Sequence, residues 1–114
     1  MPSEQQEIAD GTLLVRTVKN AETTTISLCG ELDLANASTA EDALDTCLED
    51  GAPQVVVDMR ELEFIDSTGI ALLVAALSRG GAAARIKFVP SASPAVARVL
   101  ELTGLAKRLP LAEE

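Results

Sequence analysis

The sequence contains no histidine, no tryptophan and no tyrosine, and phenylalanine occurs at only two positions. Without histidine, the Ser-His pair of common hydrolases and the usual zinc sites are excluded. A deep aromatic ligand pocket is not expected, because the residues that line such pockets are missing. Neither the phosphate-loop motif G-x-x-x-x-G-K-[ST] nor the dinucleotide motif G-x-G-x-x-G occurs. The sequence therefore predicts a binding protein without a cofactor, not an enzyme.

Long apolar runs are also missing. No segment reaches the roughly 20 consecutive apolar residues that a membrane span needs, and the polar, acidic first residues are unlike a signal peptide. Cys29 and Cys47 lack a metal-like spacing, and each falls in an apolar pattern. Two buried thiols in a reducing compartment are a better interpretation than a disulfide. We therefore expect a cytoplasmic protein.

Positive charge is scarce: the 114 residues include 18 Asp and Glu against 9 Lys and Arg, a formal net charge of -9. An acidic surface repels nucleic-acid phosphates and anionic lipids, so neither nucleic acid nor a membrane is an expected partner. A protein partner with a basic face fits this charge, although an acidic surface also serves solubility. Asp33, Asp58 and Asp66 could cluster around a cation, but no phosphate loop or basic residue accompanies them. No metal site is expected.

Hydrophobic patterning divides the chain into alternating strands and helices. Strands are predicted over residues 12–18, 24–34, 54–59 and 85–89, and helices over residues 36–49, from Ser67 to Arg79-Gly80-Gly81, and from Ser93-Pro94 to Gly104. Residues 1–10 are expected to be a flexible leader, and residues 11–112 a single domain. The order β-β-α-β-α-β-α predicts an α/β fold whose sheet is at least partly parallel.

Three features inside these elements predict local structure. Gly30 interrupts a strand of regular alternation, which indicates a bulge or the close approach of another backbone. The three consecutive valines in 54–59 suit a strand buried on both faces. The first helix is capped either by Asn36 or by Ser38, which forms a capping-box pattern with Glu41.

The segment Asp66-Ser67-Thr68-Gly69 opens the most apolar helix. Its structural interpretation is a helix N-cap, worth ~1 kcal/mol. Three potential capping residues are more than one helix start requires, however, and Gly69 costs up to ~1 kcal/mol there relative to alanine. A glycine at this position is expected if another protein approaches the backbone closely. A phosphate on Ser67 is physically reasonable, because a helix N-terminus offers free N–H groups and a positive dipole end.

The faces of this helix follow from a rotation of 100° per residue. The predicted core face consists of Ile70, Leu73, Val74 and Leu77. Thr68, Leu72, Ala75 and Arg79 fall on the opposite side. Single exposed leucines are common, but a smooth strip beside Ser67 also has the character of a docking surface.

Four segments carry a resemblance to a known family: residues 30–37 (GELDLANA), 55–58 (VVVD), 64–69 (FIDSTG) and 99–105 (VLELTGL). In this order and spacing they resemble the STAS domain, and more narrowly the free-standing bacterial anti-sigma-factor antagonists, over roughly residues 10–112. The resemblance implies a mixed sheet with helices packed against it, and a role in transcription regulation during stress response or sporulation.

The resemblance also implies a regulatory cycle with defined partners. The unphosphorylated protein binds an anti-sigma factor, which is a serine kinase with a histidine-kinase-like ATP fold, and thereby releases a sigma factor. The kinase phosphorylates the serine of the motif, here Ser67, with Thr68 as a weaker candidate, and a PP2C-type phosphatase removes the phosphate. The loop aspartate, here Asp33, lies near that serine. The predicted partner-binding residues are Asp33, Asp66, Ser67, Thr68, Gly69, Leu72 and Ala75.

Two other functions stay open at this point. The same fold could serve as an accessory subunit of a lipid-transport or stress-sensing complex, using the same helix face without a kinase cycle. A small nucleotide-binding or nucleotide-hydrolysing protein using Asp33 and Ser67 is the third possibility, and it is disfavoured by the missing phosphate loop and histidine.

Overall fold

The computed structural model describes residues 4–78 and 85–112. Its strands are β1 (Glu4–Asp10), β2 (Leu13–Lys19), β3 (Thr23–Leu32), β4 (Gln54–Asp58), β5 (Leu62–Ile65) and β6 (Ile86–Val89). Its helices are α1 (Ala37–Glu49), α2 (Ser67–Leu77) and α3 (Pro94–Leu102), followed by a short 3-10 helix, Leu105–Lys107. The predicted α/β fold is confirmed. The predicted end of the second helix at Arg79-Gly80-Gly81 lies outside the described residues.

A six-stranded mixed sheet organises the chain, with strand order β1-β2-β3-β4-β6 and β5 paired to β3. β1, β2 and β3 are antiparallel neighbours, whereas β4 and β5 both run parallel to β3. β4 pairs with Thr23–Ser27, and β5 pairs with Gly30–Leu32 further along the same strand. The carboxyl end of β3 therefore fixes β5, and β5 leads directly into α2.

Gly30 makes the change of partner along β3 possible. The register shifts between Gly30 and Glu31, and Gly30 has a φ of 101°, a conformation that favours glycine. Its N–H donates to the carbonyl of Glu61 at 3.0 Å. A Cβ at this position would lie 2.0 Å from the carbonyl oxygen of Thr12. The predicted bulge and the predicted close backbone approach are both confirmed.

α1 and α2 pack on one face of the sheet, and the side chains of its strands alternate accordingly. Val55 and Val57 are buried, but Val56 between them is half-buried beside its paired residue Thr25. The prediction that this strand is buried on both faces is wrong. Three consecutive valines do not distinguish the two cases, because valine also suits a half-buried pleated surface.

The predicted flexible leader is wrong for residues 4–10, which form β1. This strand pairs with β2 along its whole length, from Glu4 opposite Lys19 to Asp10 opposite Leu13. Glu7 adds an ion pair with Arg16 at 2.8 Å. The polar composition of the segment hid the strand, because most of its side chains are exposed at the edge of the sheet.

The sequence also missed β5. This strand has only four residues, and the two in its middle, Glu63 and Phe64, are both exposed. No alternation therefore marks it, since a single buried residue at each end does not define a period.

The ends of α1 depend on residues outside the helix. Asn36 is the N-cap residue but makes no side-chain capping bond, and Ser38 lies inside the helix, so the capping-box prediction is wrong. At the other end, the guanidinium of Arg85 donates to the carbonyls of Leu48 at 3.2 Å and Ala52 at 2.8 Å. Arg85 thus adds a side-chain donor to the last turn of α1 and ties it to the segment that follows the helix.

The two cysteines are free. Cys47 is buried as predicted, whereas Cys29 is half-buried, because it lies on the sheet face opposite to the buried side chains of β3. Burial raises the pKa of both thiols. In the described part of the chain, no helix has the length and apolar character needed to span a membrane.

Replacing Gly30 with alanine should destabilise the fold severely. Alanine would have to adopt a positive φ, and its Cβ would collide with the Thr12 carbonyl, so we expect a loss of at least about 3 kcal/mol in the free energy of unfolding. Gly51→Ala is the matched control: Gly51 has a φ of 80°, but a Cβ there would meet no other atom within 4 Å, and the variant should lose about 1 kcal/mol. Urea unfolding measures both. Equal losses would show that the close approach to Thr12 is unimportant.

Candidate functional site

Ser67 is the first residue of α2 and is exposed. The helix is capped by the residue before it: Asp66 has an extended backbone, and its Oδ1 accepts from the N–H groups of Thr68 at 2.9 Å and Gly69 at 3.1 Å. No hydrogen bond joins the Ser67 hydroxyl to another residue of the described ranges. Because Asp66 performs the capping, the serine hydroxyl is left at the surface with no structural task.

The second carboxylate oxygen of Asp66 holds the loop between β3 and α1. Oδ2 accepts from the N–H of Leu34 at 3.1 Å, and the Asp66 N–H donates to the Leu32 carbonyl at 3.2 Å. The carboxylate therefore ties the start of α2 to a segment more than thirty residues earlier in the chain.

The loop is fixed from within by Asn36, which is only 2% exposed. Its Oδ1 accepts from the Asp33 N–H at 2.9 Å, and its Nδ2 donates to the Glu31 carbonyl at 2.9 Å. Asp33, half-buried, accepts from the Ala35 N–H at 3.0 Å. Asp33 and Asp66 thus bind neighbouring N–H groups of one loop, and both carboxylates lie at this end of the molecule.

A groove runs from this loop along the space between α1 and α2, and we call it the α1–α2 groove. It has a volume of about 410 Å³. Its lining residues are Leu34, Ala37, Ser38, Glu41, Thr68, Ala71, Leu72 and Ala75. Leu34 is 77% exposed at the rim. The groove is therefore mainly aliphatic, with Glu41 as a single charge among its lining residues.

The predicted orientation of α2 is wrong by about one residue. The buried residues are Gly69, Leu72, Leu73 and Ala76. Leu72, predicted on the side opposite to the core, is 8% exposed and lies at the bottom of the groove. Ile70, Val74 and Leu77, predicted as core, are half-buried. The small residues Gly69 and Ala76 allow a closer approach than larger side chains would, and almost every side of this helix is apolar, so periodicity could not determine the buried face.

The reason predicted for Gly69 is also wrong. Gly69 is buried, and a Cβ there would lie 2.6 Å from Cγ1 of Ile65 and 3.0 Å from Cγ of Leu32. The glycine allows α2 to approach β3 and β5, inside the protein. It offers no backbone surface to a partner.

Asp58 is not part of this site. It forms an ion pair with Arg60 at 2.8 Å. Burial alone would raise the pKa of the Asp58 carboxyl, but hydrogen bonds from the Arg60 side chain and backbone, together with its charge, lower that pKa below its usual value. Among the described residues, no group of three His, Cys, Asp or Glu side chains is placed to hold a metal ion.

The structure thus brings Asp33, Asp66, Ser67 and Thr68 to one end of the α1–α2 groove, with Ala75 further along it. Sequence reasoning missed the contribution of α1 and of Leu34 to this surface. The alternation placed Leu34 inside the predicted strand 24–34, but β3 ends at Leu32 and Leu34 is exposed in the loop that follows.

Comparison with known proteins gives the family. The family model described as "Mlab, STAS domain" matches residues 15–112. This chain belongs to the STAS domain family. The resemblance predicted from its motifs is therefore confirmed. A similar curated relative is the anti-sigma-B factor antagonist of Staphylococcus aureus, which is 29% identical over 92 residues covering 75% of this chain and 85% of the relative.

Two similar solved structures are also anti-sigma-factor antagonists. The first, from Mycobacterium paratuberculosis, is 28% identical and has a TM-score of 0.80, covering 93% of this chain and 90% of that one. The second, SpoIIAA in its unphosphorylated form, is 25% identical with a TM-score of 0.68, covering 97% and 90%. SpoIIAA of Bacillus in its phosphorylated form shares the fold at 24% identity and a TM-score of 0.59, covering 97% and 93%.

Removing the Asp66 carboxylate should loosen both elements that it joins. Asp66→Ala loses the helix cap and the bond to the Leu34 N–H, so we expect a loss of about 2 kcal/mol in the free energy of unfolding. Asp66→Asn keeps one acceptor oxygen and should lose about half as much. Glu101→Gln on α3 removes the same charge elsewhere and should have almost no effect, within about 0.5 kcal/mol. Equal stabilities of Asp66→Ala and Glu101→Gln in urea would contradict this role.

Gly69→Ala should be destabilising despite the better helix propensity of alanine. The gain of up to ~1 kcal/mol from propensity is opposed by overpacking against buried Ile65 and Leu32, which typically costs about 1–3 kcal/mol. In an Ile65→Ala background the nearest contact is removed, and Gly69→Ala should then be neutral or favourable. A double-mutant cycle of thermal or urea unfolding measures the coupling. An identical effect of Gly69→Ala in both backgrounds would be incompatible with the packing role.

Proposed function

We propose that this STAS protein is an anti-sigma-factor antagonist, a binding regulator without enzymatic activity, and that phosphorylation of Ser67 controls its binding. The proposal rests mainly on one observation: the Ser67 hydroxyl is exposed and has no structural hydrogen bond among the described residues, because Asp66 caps the helix in its place. A kinase can therefore reach this hydroxyl, and its modification breaks no contact that holds the fold.

The partner in this proposal is an anti-sigma factor that is also a serine kinase with a histidine-kinase-like ATP fold. It binds the unphosphorylated protein along the α1–α2 groove and around Ser67, and its sigma factor is released. The exposed Leu34 and the floor residue Leu72 offer apolar contact area, while Asp33 and Asp66 give the adjoining rim a negative charge that favours a basic partner surface. These partners would place the protein in the cytoplasm.

Phosphorylation transfers the γ-phosphoryl group of ATP to the Ser67 oxygen, with ADP as leaving group and loss of the hydroxyl proton. A PP2C-type phosphatase returns the hydroxyl by hydrolysis and releases inorganic phosphate. The phosphate adds a charge of about -1.5 to -2. Because Oδ1 of Asp66 already accepts the N–H groups of Thr68 and Gly69, these groups are not free to neutralise it. The phosphate remains at the surface, beside two carboxylates and next to the apolar groove, and the cost of desolvating it in that contact opposes the docked partner.

The N–H groups of this helix start were expected to be free, and that expectation is wrong for Thr68 and Gly69. Two of the N–H groups are occupied by Asp66. The phosphate is therefore expected to act on the partner more than on the helix of its own chain. SpoIIAA, a protein similar to this chain, has been solved in both an unphosphorylated and a phosphorylated form, which supports the proposal that this fold accepts such a charge.

We expect Ser67→Ala to abolish phosphorylation while keeping partner binding, and Ser67→Asp to weaken binding at least tenfold, because the carboxylate imitates part of the added charge. Thr68→Val is the matched control: it removes the neighbouring hydroxyl, retains the shape, and should still be phosphorylated. The assay incubates each variant with ATP and the anti-sigma factor captured from the native cells, and reads the intact mass. Stoichiometric phosphorylation of Ser67→Ala would refute the site assignment and would point to Thr68.

In a second candidate function, the protein binds a partner through the same groove, but no kinase takes part. The matching family model is described as Mlab, and an accessory subunit of a lipid-transport or stress-sensing complex could use the α1–α2 groove permanently. In that case capture from native cells returns a transporter or sensor component, and Ser67→Asp alters binding no more than Thr68→Val does.

A further inference from the structure

A second open surface lies on the other side of α1, at the edge of the sheet. β1 is the first strand in the sheet order, and no strand among the described residues pairs with its outer side. Six of its seven residues are exposed. Because residues of an antiparallel pair alternate, every second residue of β1 directs its N–H and C=O away from β2. Such a row of free groups is a template for an added strand.

A groove accompanies this edge on the helix-covered face of the sheet, between β1 and α1. We call it the β1–α1 groove, and its volume is about 560 Å³. Its lining residues are Gln6, Ile8, Thr17, Lys19, Thr39, Asp42, Ala43, Thr46, Cys47 and Asp50. Ile8, on the outer strand, is 47% exposed. Alternate side chains of a strand added to β1 would enter this groove, since they point to one face of a sheet with a period of two.

The charge of the groove favours a cationic occupant. Lys19 lines it but is already paired with Asp50 at 2.6 Å. Asp42 is exposed on α1. On β1, Asp10 accepts a hydrogen bond from the Thr39 hydroxyl at 2.6 Å and forms no ion pair with a described residue. Glu4 lies on the same side of the strand by alternation. The long apolar stem of a lysine or arginine could pack on Ile8 while its charge reaches these carboxylates.

A second copy of this chain fits the edge poorly. Antiparallel pairing of two β1 strands over all seven residues places Glu4 opposite Asp10 and Glu7 opposite Glu7. Like charges directly opposite one another destabilise a strand pair. The acidic residues at positions 4, 7 and 10 therefore act against self-association while leaving the edge open to a strand of the opposite charge.

We propose that the outer edge of β1 and the β1–α1 groove form a second docking site, which binds an extended, lysine- or arginine-rich segment of a partner protein as an added strand. The site is separate from the α1–α2 groove, because the two grooves share no lining residue. α1 contributes Ala37, Ser38 and Glu41 to one, and Thr39, Asp42, Ala43, Thr46 and Cys47 to the other. The protein could therefore hold two partners, or two parts of one partner, at the same time.

The test uses the full chain and a synthetic peptide with seven residues, the length of β1, in which lysine alternates with threonine. At low ionic strength the peptide should slow amide hydrogen exchange at alternate residues of β1 and leave the amides of α2 unchanged. The same peptide with proline at its centre cannot extend the ladder and should lose at least tenfold in affinity. A peptide with glutamate in place of lysine should not bind.

Two charge reversals separate a local from a general electrostatic effect. Asp42→Lys should weaken binding of the lysine peptide about three- to tenfold, equivalent to one or two surface ion pairs. Glu101→Lys changes the net charge equally at a position outside both grooves and should leave the affinity within about twofold. Three results would each overturn the proposal: no protection of β1 by the peptide, equal effects of the two reversals, or a dimer in sedimentation analysis whose β1 amides are protected without peptide.

Discussion

The carboxylate of Asp66 accepts three backbone hydrogen bonds from two distant parts of the chain: from Thr68 and Gly69 at the start of α2, and from Leu34 in the loop after β3. The positions of the loop after β3 and of the start of α2 both depend on that carboxylate. The first turn of a helix has N–H groups without partners within the helix. The N–H groups of a loop that follows a strand also need hydrogen-bond partners from elsewhere. One side chain meets part of both needs, and so fixes the loop and the helix relative to each other.

As a consequence, the Ser67 hydroxyl is not needed to cap α2. Serine is itself a good N-cap residue, and had it capped α2, phosphorylation would have removed the cap. With Asp66 in that position, the neighbouring hydroxyl is presented at a rigid, solvent-facing turn. Packing strengthens this arrangement from below, because Gly69 lets the helix start rest directly on Leu32 and Ile65. The proposed switch is therefore built on a helix start whose structure does not depend on the residue that is modified.

α1 lies between two open grooves and lines both of them. One side of the helix lines the groove that ends at Ser67, and the other lines the groove beside the acidic edge strand. The first groove is aliphatic and the second is polar and acidic, so the two surfaces suit partners of different chemistry. A phosphate on Ser67 would add its charge at the end of the first groove, which α1 separates from the second.

Local patterns in the sequence were sufficient to predict the fold class, the α1 and α2 helices and the bulge at Gly30. Strand alternation, helix periodicity and a glycine inside a strand are all visible within a few residues. They failed where tertiary contacts decide. β1 is polar and becomes a strand only because β2 offers it a partner, and β5 is too short to show a period. The buried face of α2 is decided by which small residues can approach the sheet, since the helix is apolar on nearly all sides. The roles of Asn36 and Leu34 depend on contacts with other segments, so no local pattern could have shown them.

The most direct test of the central claim compares two forms of the full chain, one with the Ser67 hydroxyl and one with phosphoserine incorporated at position 67, as baits for the native anti-sigma factor. We predict that both forms unfold at the same temperature within error, and that only the hydroxyl form retains a protein kinase with a histidine-kinase-like ATP fold. Equal retention by both forms, or a phosphorylated form that has lost the α2 helix start, would contradict the proposed switch.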